Sequence, residues 1–117
     1  MTTPRNIPTS GAAVRGSRTG RPIMVVLDIL GRRSTLRILW ELRDGEPMTF
    51  RALQEACETN SSLLNTRLTE LRTLELVSHE GEGYSLTPEG HGLKTALTPL
   101  TDWAHRWRAP KSKHIAP

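Results

Sequence analysis

From position 22 onward, apolar residues recur at helical spacing, in blocks separated by glycine, proline or short polar turns. Ile23, Val26, Leu27 and Leu30 follow Pro22, a residue suited to a first helical position, and stop at Gly31, so a first helix is predicted over 22–30. Ser34 or Thr35 can cap a second helix with an apolar side of Leu36, Leu39, Trp40 and Leu42, ended by Asp44-Gly45 and Pro47. Thr49 can cap a short third helix that reaches Cys57 and buries Phe50, Leu53 and Cys57. After the polar turn 58–60, with Asn60 as cap, Leu64, Leu68 and Leu71 mark the inner side of a fourth helix over 61–74.

The pattern then changes to two short strand-like runs, 76–80 and 84–86, around a glycine-containing turn of three residues, Gly81-Glu82-Gly83, which predicts a β-hairpin. Thr87-Pro88-Glu89 restarts a helix with a cap, a proline and an acid matched to the helix dipole. Pro99 interrupts the pattern, so either a kink or two helices, 88–97 and 99–108, is expected. Leu93, Leu97, Leu100, Ala104 and Trp107 form a stripe along this segment, with Trp103 beside it. The order is three helices, a recognition-type helix, a hairpin and a helical tail. The fold class it predicts is mainly α with a small β-hairpin, a winged helix-turn-helix with a C-terminal dimerisation helix.

The outer side of the fourth helix carries Ser62, Asn65, Thr66, Thr69 and Thr73 where a merely solvated face would show Lys and Glu. Short hydrogen-bonding side chains let a helix approach base edges in a major groove, where Asn can pair with adenine and Ser or Thr with several partners. Ser62, Asn65, Thr66 and Thr69 are therefore base-facing candidates, with Ser61 near a phosphate at the helix N-terminus. Arg67 can reach a phosphate or pair with Glu70 or Glu75 on its own helix. Arg32, Arg33 and Arg51 are further candidates for the DNA backbone, each with a solvated surface position as the alternative.

Charge refines this picture. The net charge is +4, yet 1–22 and the last residues together hold six basic residues and no acid, which leaves ten basic against twelve acidic residues in between. General attraction to polyanions thus belongs to the ends, and a claim on DNA must rest on the pattern of the fourth helix. Residues 1–21, with Pro4, Pro8, Gly11, Gly16 and Gly20 and few apolar side chains, are expected to form a disordered basic arm. Residues 22–108 form the single domain and 109–117 a flexible tail. Glu80 and Glu82 place acids at the tip of the wing, where the phosphate backbone repels them.

Cys57 is the one cysteine, so an intramolecular disulfide is impossible, and its place on an apolar helical side suits a small core residue. No apolar run is long enough to span a bilayer and no secretory signal is visible, so a cytoplasmic protein without membrane contact is expected. The four histidines show no metal-ligand pairing and no catalytic or nucleotide-binding pattern occurs, so no enzyme, metal or cofactor is predicted. Trp103 and Trp107, one turn apart, offer more apolar surface than a small monomer covers. With Ile23 and Leu27 of the first helix and Leu100 and Ala104 of the last, they are assigned to a homodimer interface.

Taken in order, Leu36-Arg37-Ile38-Leu39-Trp40-Glu41-Leu42, Gly45, Phe50-Arg51-Ala52-Leu53, Leu64, Arg67-Leu68-Thr69-Glu70-Leu71, Leu76-Val77, Tyr84-Ser85-Leu86-Thr87, Gly90 and Trp103 resemble the HxlR-type regulators of the MarR-like winged-helix group. The resemblance spans residues 22–107 and implies a dimeric regulator of transcription that binds double-stranded DNA and responds to a small-molecule effector or to oxidative or electrophilic stress. Three positions depart from it. Arg21 and Pro22 stand where the family commonly has a cysteine, which excludes thiol sensing there; Ser34 replaces a tryptophan; Glu75 replaces the glycine before the wing. The function expected is a sequence-specific DNA-binding regulator, a repressor acting as a homodimer. The alternative is a winged-helix protein-interaction module without sequence-specific DNA binding, favoured by the acidic wing and the net negative core.

Overall fold

The computed structural model describes residues 21–109, so the expected basic arm and tail lie outside the described residues, Arg21 and Ala109 excepted. Five helices and three strands follow in the order α1 Pro22–Leu30, α2 Thr35–Glu41, β1 Met48–Thr49, α3 Phe50–Cys57, α4 Ser61–Thr73, β2 Val77–Glu80, β3 Gly83–Leu86 and α5 Pro88–Trp107. Three of the expected caps form: the side chains of Thr49, Asn60 and Thr87 accept hydrogen bonds from the backbone N–H groups of Ala52, Leu63 and Gly90. Ser34 occupies the cap position of α2 without a side-chain cap bond, because its backbone is left-handed at φ +74°.

The core is built from Ile29 of α1, Ile38 and Leu42 around α2, Leu53 of α3, Leu64, Leu68 and Leu71 of α4, and Val77, Tyr84 and Leu86 of the sheet. Here α2 departs from the expected face. Ile38 is fully buried while Leu36 and Trp40 are about half exposed, so the helix turns a second apolar side outward. An overlapping apolar pattern such as Leu36-Ile38-Leu39-Trp40-Leu42 does not say which side meets the core.

The sheet contains a strand that the apolar pattern does not reveal. β1, two residues long, pairs antiparallel with β3 through Met48↔Tyr84 and Thr49↔Gly83, and the order is β1-β3-β2. The hairpin is also tighter than expected. Glu80 pairs with Gly83, so the loop is the two residues Gly81-Glu82, with Gly81 at φ +61° in the first central position, as a type II′ turn requires. Gly83 belongs to β3 instead, where a Cβ would stand 2.9 Å from Cβ of Pro47 and push β1 away.

Of the two outcomes expected at Pro99, the break into two helices does not occur: α5 continues through it as one helix. The proline removes one N–H from the helical ladder, but both Pro99 and Thr95, whose carbonyl loses that donor, are exposed, so water can satisfy the carbonyl. No helix among the described residues is long and apolar enough to cross a membrane.

The join between α4 and the wing carries a testable strain. Glu75 N–H bonds to the Arg72 carbonyl and Leu76 N–H to the Leu71 carbonyl, the paired bonds of a Schellman motif, and this holds Glu75 at φ +62°. A side chain in that left-handed region costs about 1 kcal/mol relative to glycine. Glu75→Gly is expected to raise stability by up to about 1 kcal/mol in urea titrations, with an unchanged m-value.

Candidate nucleic-acid interface

Two short helices and the turn between them, α3 and α4, form the helix-turn-helix. Leu64, Leu68 and Leu71 anchor α4 in the core, so the opposite side must face out. Ser61, Ser62, Asn65, Thr66 and Thr73 are exposed and Thr69 is half-buried. The hydroxyls of Thr69 and Thr73 donate to the carbonyls of Asn65 and Thr69 at 2.8 and 2.9 Å, which orients them and leaves each oxygen able to act as an acceptor. At the helix start Asn60 Oδ1 accepts the Leu63 N–H at 2.7 Å, and Ser61 and Ser62 stand beside the remaining N–H groups of the first turn.

The arginines divide. Arg32 Nη2 is 2.8 Å from Asp28 Oδ2 and its Nη1 is 2.9 Å from Glu70 Oε2. Arg67 Nη1 lies 3.1 Å from the Glu70 carboxylate, and its Nε donates to the Arg33 carbonyl at 2.8 Å. The side chain of Glu70 is 5 % exposed, those of Arg32 and Arg67 11 and 16 %. Both guanidinium groups are therefore engaged by partners within the chain. Their guanidinium groups are held inside a buried network that ties α1, the α1–α2 connection and α4 together. Of the two pairings open to Arg67, the one formed is with Glu70. Arg33 and Arg51, by contrast, are exposed. The sequence does not join Arg32 to Glu70, because an acid 38 positions from its arginine gives no local signal; the Asp28–Arg32 pair, four positions apart, was open to local reading and was missed.

The wing tip presents Glu80 and Glu82 to solvent, and His79 stacks on Tyr84 with ring centroids 3.9 Å apart. Cys57 is buried, and desolvation, with a smaller contribution from the Glu41 charge, pushes its thiol up to about 11. At neutral pH it is therefore a protonated core residue and a poor nucleophile. No group of three or more metal-ligating side chains occurs among the described residues.

The remaining candidates lie on α1 and α5. Ile23 and Leu27 on α1 and Leu100, Trp103 and Trp107 on α5 are between 48 and 57 % exposed, with Ala104 half-buried among them. The two indoles stack at 5.2 Å, and the Arg108 guanidinium lies 4.5 Å from the centre of the Trp107 ring.

Comparison with known proteins agrees with this architecture. The chain is 26 % identical over 97 residues to an uncharacterized HTH-type transcriptional regulator of Methanocaldococcus jannaschii, a match covering 79 % of this chain and 91 % of the relative. Its fold superimposes on YodB of B. subtilis in a quinone-bound crystal structure with a TM-score of 0.68 at 28 % identity, covering 72 % of this chain and 96 % of YodB. Reduced HlyU of Vibrio cholerae N16961 superimposes with a TM-score of 0.56 at 25 % identity, covering 74 % of this chain and 88 % of HlyU. Residues 29–112 match the HxlR-like helix-turn-helix family. With three helices, a recognition-type helix and a wing in that order, the chain belongs to the HxlR-like helix-turn-helix family of transcriptional regulators.

Proposed function

We propose that this chain is a cytoplasmic, sequence-specific DNA-binding regulator, a repressor, that acts as a homodimer and reads base edges through α4. The observation that carries the reading is the outward side of α4, whose exposed residues are short and polar apart from Arg72, locked in its roll by the leucines beneath it and by the Glu70 network. Ser62, Asn65, Thr66 and Thr69 are the base-reading set. Ser61, Arg33 and Arg51 supply phosphate contacts, while Arg32 and Arg67 position the helix. The acidic wing tip contributes little to phosphate binding.

Binding to a duplex from the chain's own upstream region, compared with random duplex at one salt concentration, tests this directly. Asn65→Ala is expected to cost about 1–3 kcal/mol on the specific duplex, and to leave non-specific affinity unchanged. Equal affinity of the unsubstituted protein for both duplexes would overturn the reading. That outcome would favour the second reading, a protein-interaction module, which the exposed acids Glu80 and Glu82 support.

The homodimer is assigned to Ile23 and Leu27 of α1 and Leu100, Trp103, Ala104 and Trp107 of α5. It would place two copies of α4 to read half-sites about 34 to 36 Å apart. Trp103→Glu is expected to produce a folded monomer by sedimentation and to weaken specific DNA binding at least about tenfold, since each half-site must then bind alone. A small-molecule effector belongs to the same reading, supported by the bound quinone in the YodB structure.

A further inference from the structure

One long side chain stands among the short ones on the outer side of α4. Arg72 is exposed in the last turn of the helix, seven positions after Asn65 and three after Thr69. At 3.6 residues per turn, seven positions bring Arg72 back to within roughly 20° of Asn65 and about 10 Å farther along the axis. Asn65, Thr69 and Arg72 therefore share one stripe of the helix.

The two arginines of α4 differ in what holds them. Arg67 is engaged by the Glu70 carboxylate and the Arg33 carbonyl. Among the described residues, no hydrogen bond or ion pair engages the guanidinium of Arg72. Glu75, the acid three positions on, lies past the helix end in left-handed backbone and does not pair with it. The neighbouring hydroxyls of Thr69 and Thr73 are tied back to carbonyls of their own helix, and an arginine side chain outreaches both by several bonds. A cation in the last turn also complements the negative end of the helix dipole, but a lysine would do that equally well. The guanidinium offers more, a planar fork of N–H donors that matches two acceptors side by side. In a major groove that pair of acceptors is O6 and N7 of guanine, whereas adenine shows one acceptor and one donor there.

We infer that Arg72 is a specificity-determining residue that donates two hydrogen bonds to O6 and N7 of a guanine, roughly two or three base pairs from the pair read by Asn65. The inference rests on α4 being the element that enters the major groove. It gives the reading side of α4 one strong, directional donor and sets a G·C pair in each half-site.

Selection of bound duplexes from a random-sequence pool, run in parallel with the unsubstituted full chain, Asn65→Ala, Arg72→Ala and Arg72→Lys, tests it. The unsubstituted chain is expected to enrich a consensus with one fixed G·C pair per half-site that depends on Arg72. Arg72→Ala should lose the preference at that pair and keep the rest of the consensus. Arg72→Lys should lose most of it as well, since an ammonium lacks the fork. On the selected duplex Arg72→Ala should bind at least about tenfold more weakly than the unsubstituted chain, and on a duplex with that pair changed to A·T the two should bind alike. Thermal unfolding, expected to be unchanged within a few degrees at this exposed position, shows that the variant is folded. A uniform loss on every duplex that lysine restores makes Arg72 a phosphate contact and overturns the inference. A consensus that Asn65→Ala alters and Arg72→Ala does not overturns it while the role of α4 stands. An unsubstituted chain that enriches no sequence overturns both.

Discussion

Replacing Glu70 by alanine is expected to remove about 3–5 kcal/mol of stability, enough to leave much of the protein unfolded at 37 °C. The carboxylate is nearly inaccessible and serves two arginines at once, Arg32 at 2.9 Å and Arg67 at 3.1 Å. Truncation leaves two largely buried guanidinium groups without that acid. The cost is therefore the desolvation of charges left behind, which exceeds what the ion pairs contribute when intact. Glu70→Gln keeps a hydrogen-bond acceptor and the volume, so its loss should be about half as large. Urea unfolding at one fixed protein concentration measures both, since a dimer makes the midpoint concentration-dependent. A loss below about 1 kcal/mol for the alanine variant would show that the network is not holding α4. In the cold, where the alanine variant folds, its affinity for specific DNA should still fall, because Arg67 no longer ties α4 to the Arg33 carbonyl through a fixed geometry.

Gly90→Ala is expected to cost about 3 kcal/mol or more, although alanine is the better helix former. Gly90 lies in the first turn of α5 and is buried against Leu76, in the connection between α4 and β2, and Leu86 of β3. A Cβ there would overlap the Leu76 carbonyl oxygen and stand 3.2 Å from Leu86 Cβ. The blocking atom belongs to the backbone and cannot rotate away. It also accepts the Thr87 N–H at 3.1 Å, and the Thr87 hydroxyl donates to the Glu75 carbonyl at 2.6 Å, so moving it breaks the seam that seats α5 on the wing. Gly92, two residues on, is an internal control with nothing within 4 Å of its Cβ position. Gly92→Ala should stabilise by roughly 0.5–1 kcal/mol through helix propensity. Opposite signs in one helix, read by thermal unfolding at equal concentration, separate packing from propensity; a neutral Gly90→Ala would remove the proposed seam.

The winged architecture was legible because most of its elements advertise themselves locally. Thr49, Asn60 and Thr87 each cap the helix that follows them. The apolar spacing of α4 admits only one inward side, and the glycines around Glu82 demand a turn. The polar outer side of α4 was readable for the same reason, as the complement of Leu64, Leu68 and Leu71. β1 was not readable, since two residues have no periodicity and Met48 and Thr49 become a strand only because β3 lies alongside. The length of the hairpin loop was likewise decided by Gly83 passing close to Pro47.

The chain alone determined where helices begin and which side of α4 is apolar, since capping and periodicity act between residues a few positions apart. Only the tertiary structure decided that Arg32 and Arg67 turn inward, that Leu36 and Trp40 face out, and that Gly90 admits no side chain. Those outcomes depend on a carboxylate, a neighbouring helix or a carbonyl brought close from elsewhere in the chain, and burial, which sets the cost of an unpaired charge or a clash, exists only once these parts have met.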